Sequence, residues 1–304
     1  MTMQRDFLLL VTLVTLASPA FGQTTGGVVP AKSTSVPDFS GVWRHGSLPW
    51  FIPPASGPGP VTNMSRRADS GTSNYSELVG DYTNPILQPW AADVVKNKGD
   101  LSRAGVTYPN PGNQCWPEPV PFIYKNFGLQ ILQRPHEVTL LYEQNYEFRK
   151  VRLNDKHPAE VKPSWYGDSV GHYEGDTLVI DTVGVKTDRP YAMIDLFGTP
   201  YTKSLHVVER YRLREYDDVK DAIERNKKEN WLLQGDVFSN HRGKFLQLHL
   251  TIEDEGVFTT PWTSTLTYVP RPDIASEAVC ADNLRQYYYD HSDTNAPRAD
   301  KPDF

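Results

Sequence analysis

The chain has 304 residues, two cysteines and a formal net charge of −6. The acidic balance argues against a nucleic-acid surface. Two cysteines without a CxxC or a Cys/His cluster argue against a thiol-redox site or a structural zinc site.

The first element is a leader. Arg5 precedes an uncharged apolar run, Phe7 to Ala17, then Ser18-Pro19 and the small residues Ala20 and Gly22. This is the three-part form of a secretory signal peptide over residues 1–22, cut before Gln23. The run is shorter than the roughly 20 apolar residues a membrane helix needs. The expectation is therefore an exported protein, periplasmic or secreted, with no membrane span after processing. In that setting Cys115 and Cys280 are expected to form a disulfide, with two buried thiols as the alternative.

Residues 23–37 read as a disordered polar linker, 38–290 as a single β-rich domain and 291–304 as a flexible tail. The domain opens with a short strand at Asp38–Arg44, holding Gly41 and Trp43 in a G-x-W pattern. Residues 46–75 are rich in Gly, Pro and Ser and read as a long irregular loop. A helical stretch covers 86–104, and the proline-rich stretch 108–122 must be extended. Strands follow at Val138–Tyr142 and Tyr146–Leu153, then at Trp165–Glu174 and Thr177–Val183 around the turn pair Gly175-Asp176. Further strands fall at Leu205–Arg214, Phe245–Glu253 and Thr263–Val269, with a short charged helix or exposed insertion at Asp218–Lys228. Successive strands with mostly short connections predict an antiparallel meander. Closure into an up-and-down barrel would remove its edges, and a β-sandwich is the alternative.

Three motif blocks stand out. They are Ser164–Thr182 (SWYGDSVGHYEGDTLVIDT), Leu205–Arg210 (LHVVER), and Thr251–Asp254 followed by Pro261-Trp262-Thr263. Together they resemble a family of exported, mostly uncharacterised bacterial proteins with G-H-W-E-G-D-T-L-V-V-D-T, H-V-x-E-R and T-I-E-D…PWT motifs. The likeness covers roughly residues 37–285. It implies an exported β-rich fold, expected to be a lipocalin-like barrel, and implies no activity. The chain departs from the pattern at Tyr173, where the family usually has Trp, and in a longer segment at Asp217–Asn230.

Candidate site residues come from strand periodicity, because residues i and i+2 share a face. Asp168, His172 and Glu174 share one, which suits acid–base chemistry or, less readily, a metal; Glu174-Gly175-Asp176 as a plain turn is the alternative. Along Leu205–Arg214, His206 takes one face and Val207, Glu209 and Tyr211 the other. Along Phe245–Glu253 the leucines alternate with His249, Thr251 and Glu253, so one set fills the interior and the other faces out. Tyr142 and Arg149 could stabilise an anion, since a guanidinium and a phenol both donate. Trp165 and Trp262 could stack on a flat ligand, although aromatics on strands more often pack in cores.

No nucleophile elbow, P-loop, dinucleotide fingerprint or H-E-x-x-H motif occurs. The expected function is an exported enzyme without a cofactor or metal, acting by proton transfer (lyase, hydratase or isomerase type) on a small apolar or aromatic molecule. Its catalytic set would be His172 and Asp168, with His206 and Glu253 in reserve and Tyr142 or Arg149 as anion stabiliser. Glu209, Tyr211, Trp165 and Trp262 would bind the ligand. The competing expectation is a lipocalin-like binding protein for an apolar small molecule.

Overall fold

Alternating burial along its strands builds the chain into a closed barrel. The computed structural model describes residues 36–46, 51–69, 71–125, 128–143, 147–188, 192–229 and 240–272. The leader, most of the linker, the tail and Cys280 lie outside these residues, and the expected disulfide with them. Nine strands close the barrel in chain order: β1 (Gly41–Arg44), β2 (Gly128–Gln133), β3 (Glu137–Tyr142), β4 (Phe148–Leu153), β5 (Asp168–Glu174), β6 (Thr177–Val183), β7 (His206–Arg214), β8 (Phe245–Glu253) and β9 (Trp262–Arg271), which returns to β1. The fold is thus the expected mainly β barrel rather than a sandwich. No helix among the described residues is long and apolar enough to cross a membrane.

One junction departs from the expected antiparallel meander. β4 and β5 pair in parallel, through Arg152↔Val170 and Leu153↔Gly171. A parallel step needs a crossover of about a dozen residues or more, and residues 154–167 provide it. A side chain at Gly171 would meet Val151 and the Val179 carbonyl, both at 2.9 Å, so glycine lets this seam close. Elsewhere the turns follow local chemistry. Gly175, with φ 61°, takes the first place in the two-residue turn joining β5 to β6, as a II′ hairpin requires.

The interior is filled. Leu246, Leu248, Leu250 and Ile252 of β8 point inward and are fully buried, opposite Leu213, Tyr211, Glu209 and Val207 of β7. The leucines therefore take the interior, and His249, Thr251 and Glu253 face outward. A one-turn 3₁₀ helix at Phe122–Lys125 adds Ile123 and Tyr124 to the same core. Helix α1 (Pro89–Arg103) buries Ala91, Val95 and Gly99, spaced four apart on one face. Helix α2 (Tyr216–Glu229) lays Val219 and Ile223 over Phe245 and Val269 outside the barrel.

Inside the apolar packing sits an ion pair. Arg149 of β4 donates two hydrogen bonds of 2.7 Å to Glu209 of β7, which also accepts from Tyr211 Oη at 2.8 Å. Glu209 is 0% exposed and Arg149 2%. Breaking a buried pair strands a charge at a cost of about 3–5 kcal/mol, whereas replacing both partners with apolar groups is often neutral or stabilising. Arg149→Met alone should therefore lower the unfolding free energy by about 3–5 kcal/mol, and Arg149→Met with Glu209→Leu should recover most of the loss. Urea unfolding of both variants measures this. A double variant no more stable than the single one would contradict it.

Candidate active site

Several expected site residues lie in the packed interior. Tyr142, Arg149, Glu209, Tyr211 and Trp262 are buried core groups. Burial holds the phenols of Tyr142 and Tyr211 well above their usual range, so neither titrates near neutrality. Trp262 packs edge-on against Phe51 and Phe258. These five residues are packed within the core rather than on the cleft described below. Trp165 lies elsewhere, edge-on to Trp116 with centroids 6.0 Å apart and with Lys186 Nζ 5.5 Å over its ring.

The outer wall is different. Cross-strand register sets Asp181 of β6 beside β7, where it lies opposite Val208, two residues from His206. His206 lies directly opposite Glu253 of β8. Neighbours of this kind on one sheet face interact. His206 Nε2 is 3.0 Å from Asp181 Oδ1, and His206 Nδ1 is 3.3 Å from Glu253 Oε2. The same Asp181 oxygen lies 3.1 Å from Nε2 of His157, whose Nδ1 is 2.7 Å from Asp168 Oδ2. Arg152 closes the row with bonds of 2.7 and 3.1 Å to Asp168.

Three expected residues, Asp168, His206 and Glu253, thus join one network. His172 does not. It shares the outward face of β5 with Asp168, but four residues along a strand are about 13 Å, and its partner is Glu174 at 3.0 Å, itself bound by Arg210. His157 and Asp181 were not anticipated. Asp181 had a signal, a lone charge in the apolar strand Thr177–Val183. His157 had none, because it sits in the crossover loop, where no periodicity applies. Among the described residues no three His, Cys, Asp or Glu side chains are grouped to hold a metal ion.

His206 and Glu253 line a cleft of about 310 Å³, with Asp254, Glu255, Phe258 and Pro261 among its walls. Asp254 shapes its floor by accepting from Thr202 N–H at 2.6 Å and Thr202 Oγ1 at 2.7 Å. The T-I-E-D and PWT motifs therefore meet at one place: Glu253 and Pro261 face the cleft, while Trp262 anchors the strand from within. Another carboxyl, that of Asp195, is pushed up to about 6 by burial, but it caps its own loop through Phe197 and Thr199 N–H and does not line this cleft.

Electrostatics follow from the geometry. The hydrogen bond to Asp181 raises His206 above its ordinary 6.5, against the opposing effect of partial burial. The His206 bond lowers Asp181, and the Arg152 bond lowers Asp168, both below the ordinary 3.8. A carboxylate at each ring nitrogen favours the protonated imidazole of His206, which offers an N–H at each position.

The fold and this cleft define a closed β-barrel with a histidine–carboxylate network on its outer wall. No protein-family model matches the chain, and no curated protein or solved structure matches it.

The shifts give a stability window. A raised histidine stabilises fully below 6.5 and loses its contribution as pH rises through its folded value; the lowered aspartates stabilise above 3.8 and lose theirs as pH falls through their folded values. Thermal melts of the wild type and His206→Gln should differ most between these limits and converge on the alkaline side. A difference that grows with alkalinity would contradict the assignment.

Proposed function

We propose that the protein is an exported enzyme that moves protons in the His206 cleft, without a cofactor, on a small organic molecule. One observation carries this reading: His206 is held between Asp181 and Glu253 at the wall of a cleft of about 310 Å³. Ligand sites of roughly 300 Å³ and upward suit small molecules. Phe258 and Pro261 offer an apolar wall, and Asp254 and Glu255 bias the cleft toward neutral or cationic substrates.

The chemistry follows from the pairing of an imidazole with a carboxylate. His206, protonated, is the general acid, and the Glu253 carboxylate is the base. In an elimination, Glu253 takes a proton from substrate carbon while His206 gives one to the leaving group. The proton then passes from Glu253 back to His206 Nδ1 across their 3.3 Å contact, which resets the pair. Hydration runs the same steps in reverse, and an isomerisation returns the proton at a second carbon. The family resemblance supports export and adds no reaction. The carrier reading is less favoured, because the core side chains fill the interior where an apolar ligand would sit.

The test is solvent exchange. Candidate substrates incubated with the protein in deuterium oxide should gain deuterium at an acidic carbon, followed by proton NMR. His206→Gln or Glu253→Gln should slow exchange by about 10²-fold or more, whereas His172→Gln should leave it unchanged. Full exchange by a His206→Gln, Glu253→Gln double variant would refute the assignment.

A further inference from the structure

Acid–base work in the cleft needs only His206 and Glu253, yet a second imidazole is built into the same network. We propose that His157 and His206 form a coupled pair through one oxygen of Asp181, in which His157 sets the acidity of His206. This deepens the reading of the His206 cleft and makes His157 a positioning residue that acts through another group.

The geometry is symmetrical about Asp181. Its Oδ1 lies 3.1 Å from His157 Nε2 and 3.0 Å from His206 Nε2. Each ring turns its other nitrogen to a separate carboxylate, Asp168 for His157 and Glu253 for His206. The charged groups facing the network come from every neighbouring element: Arg152 from β4, Asp155 and His157 from the crossover, Asp168 from β5, Asp181 from β6, His206 from β7 and Glu253 from β8. Arg152 spends two arms on Asp168 and its Nε on Asp155, so Asp168 is shared between Arg152 and His157.

Two imidazoles whose Nε2 atoms share one carboxylate oxygen compete for it. Their Nε2 atoms lie within about 6 Å of each other, a range at which charges shift each other's protonation. While His157 carries a proton, Asp181 divides its charge and His206 gives up its own proton more easily. When His157 loses its proton, Asp181 serves His206 alone and His206 holds on more tightly. Such sites titrate as a pair rather than singly. The effect is to lower the His206 midpoint: His206 gives up its proton at a lower pH than it would with Asp181 to itself. Binding linkage is reciprocal, so His206 must act on His157 in the same way.

The test reads the rings directly by NMR titration of the imidazole carbon protons, and it needs no substrate. In the full-length protein, His157→Gln should raise the His206 midpoint by about one pH unit, the scale of a coupled pair. Asp181→Asn should lower it. The opposite signs separate coupling from general disruption of the wall. The reciprocal variant, His206→Gln, should raise the His157 midpoint, which keeps the test open if one variant fails to fold. A His206 midpoint that stays put or falls in His157→Gln overturns the proposal. The outcome stands apart from the exchange experiment: coupling with no deuterium exchange would refute the enzyme reading alone, and exchange without coupling would refute the pair alone.

Discussion

The Arg149–Glu209 pair is the constraint around which the rest is arranged. β4 is attached to β5 through only two parallel residue pairs, the thinnest join in the barrel. The pair ties β4 to β7 across the interior with two short bonds. Tyr211 takes up another site on the carboxylate, and burial keeps the surrounding phenols neutral, so the pair carries charge into a largely apolar centre. An isolated buried charge would be intolerable there, and each partner fixes the depth and orientation of the other.

Filling the interior has a functional consequence. A strand's side chains alternate, so every inward leucine of β8 forces an outward neighbour. Leu250 and Ile252 packed inside mean Thr251 and Glu253 outside; Val207 and Glu209 inside mean His206 outside. A register slip of one residue would exchange the two sets. The polar chemistry stands on the outer wall because the core has taken the other face. Rigid strands also suit it, since side chains at fixed register hold their spacing better than side chains on loops.

Much of this was legible from period-two patterning. The strict alternation of Phe245–Glu253 matches β8 residue for residue, and the turn at Gly175-Asp176 also follows its sequence signal. β2 was missed because Gly128–Gln133 (GLQILQ) mixes glycine and glutamine with few β-branched residues, so its propensity is weak. The parallel join was not legible either, because a strand's own sequence does not specify which neighbour it meets. At the site, the patterning put Asp168 on one face with His172, set His206 and Glu209 on opposite faces, and left open which set of Phe245–Glu253 turns outward; the structure gives Asp168 and His172 different partners. Same-face spacing says which residues point alike. It does not say which of them come within hydrogen-bond distance, and that depends on the twist and register of neighbouring strands.

The parallel join explains the network more fully than the alternation does. A two-residue hairpin between β4 and β5 would have left nothing above the outer wall. A parallel step obliges the chain to travel back along the barrel, and residues 154–167 make that journey, with His157 over the face bearing Asp168 and Asp181. The return path lays His157 between those two carboxylates. Arg152, the last outward residue of β4 before the crossover, then braces Asp168 from the other side and accounts for part of its lowered proton affinity. A topological departure from the meander thus supplies the second imidazole, and the sequence around His157, lacking any strand or helix period, carries no local trace of it.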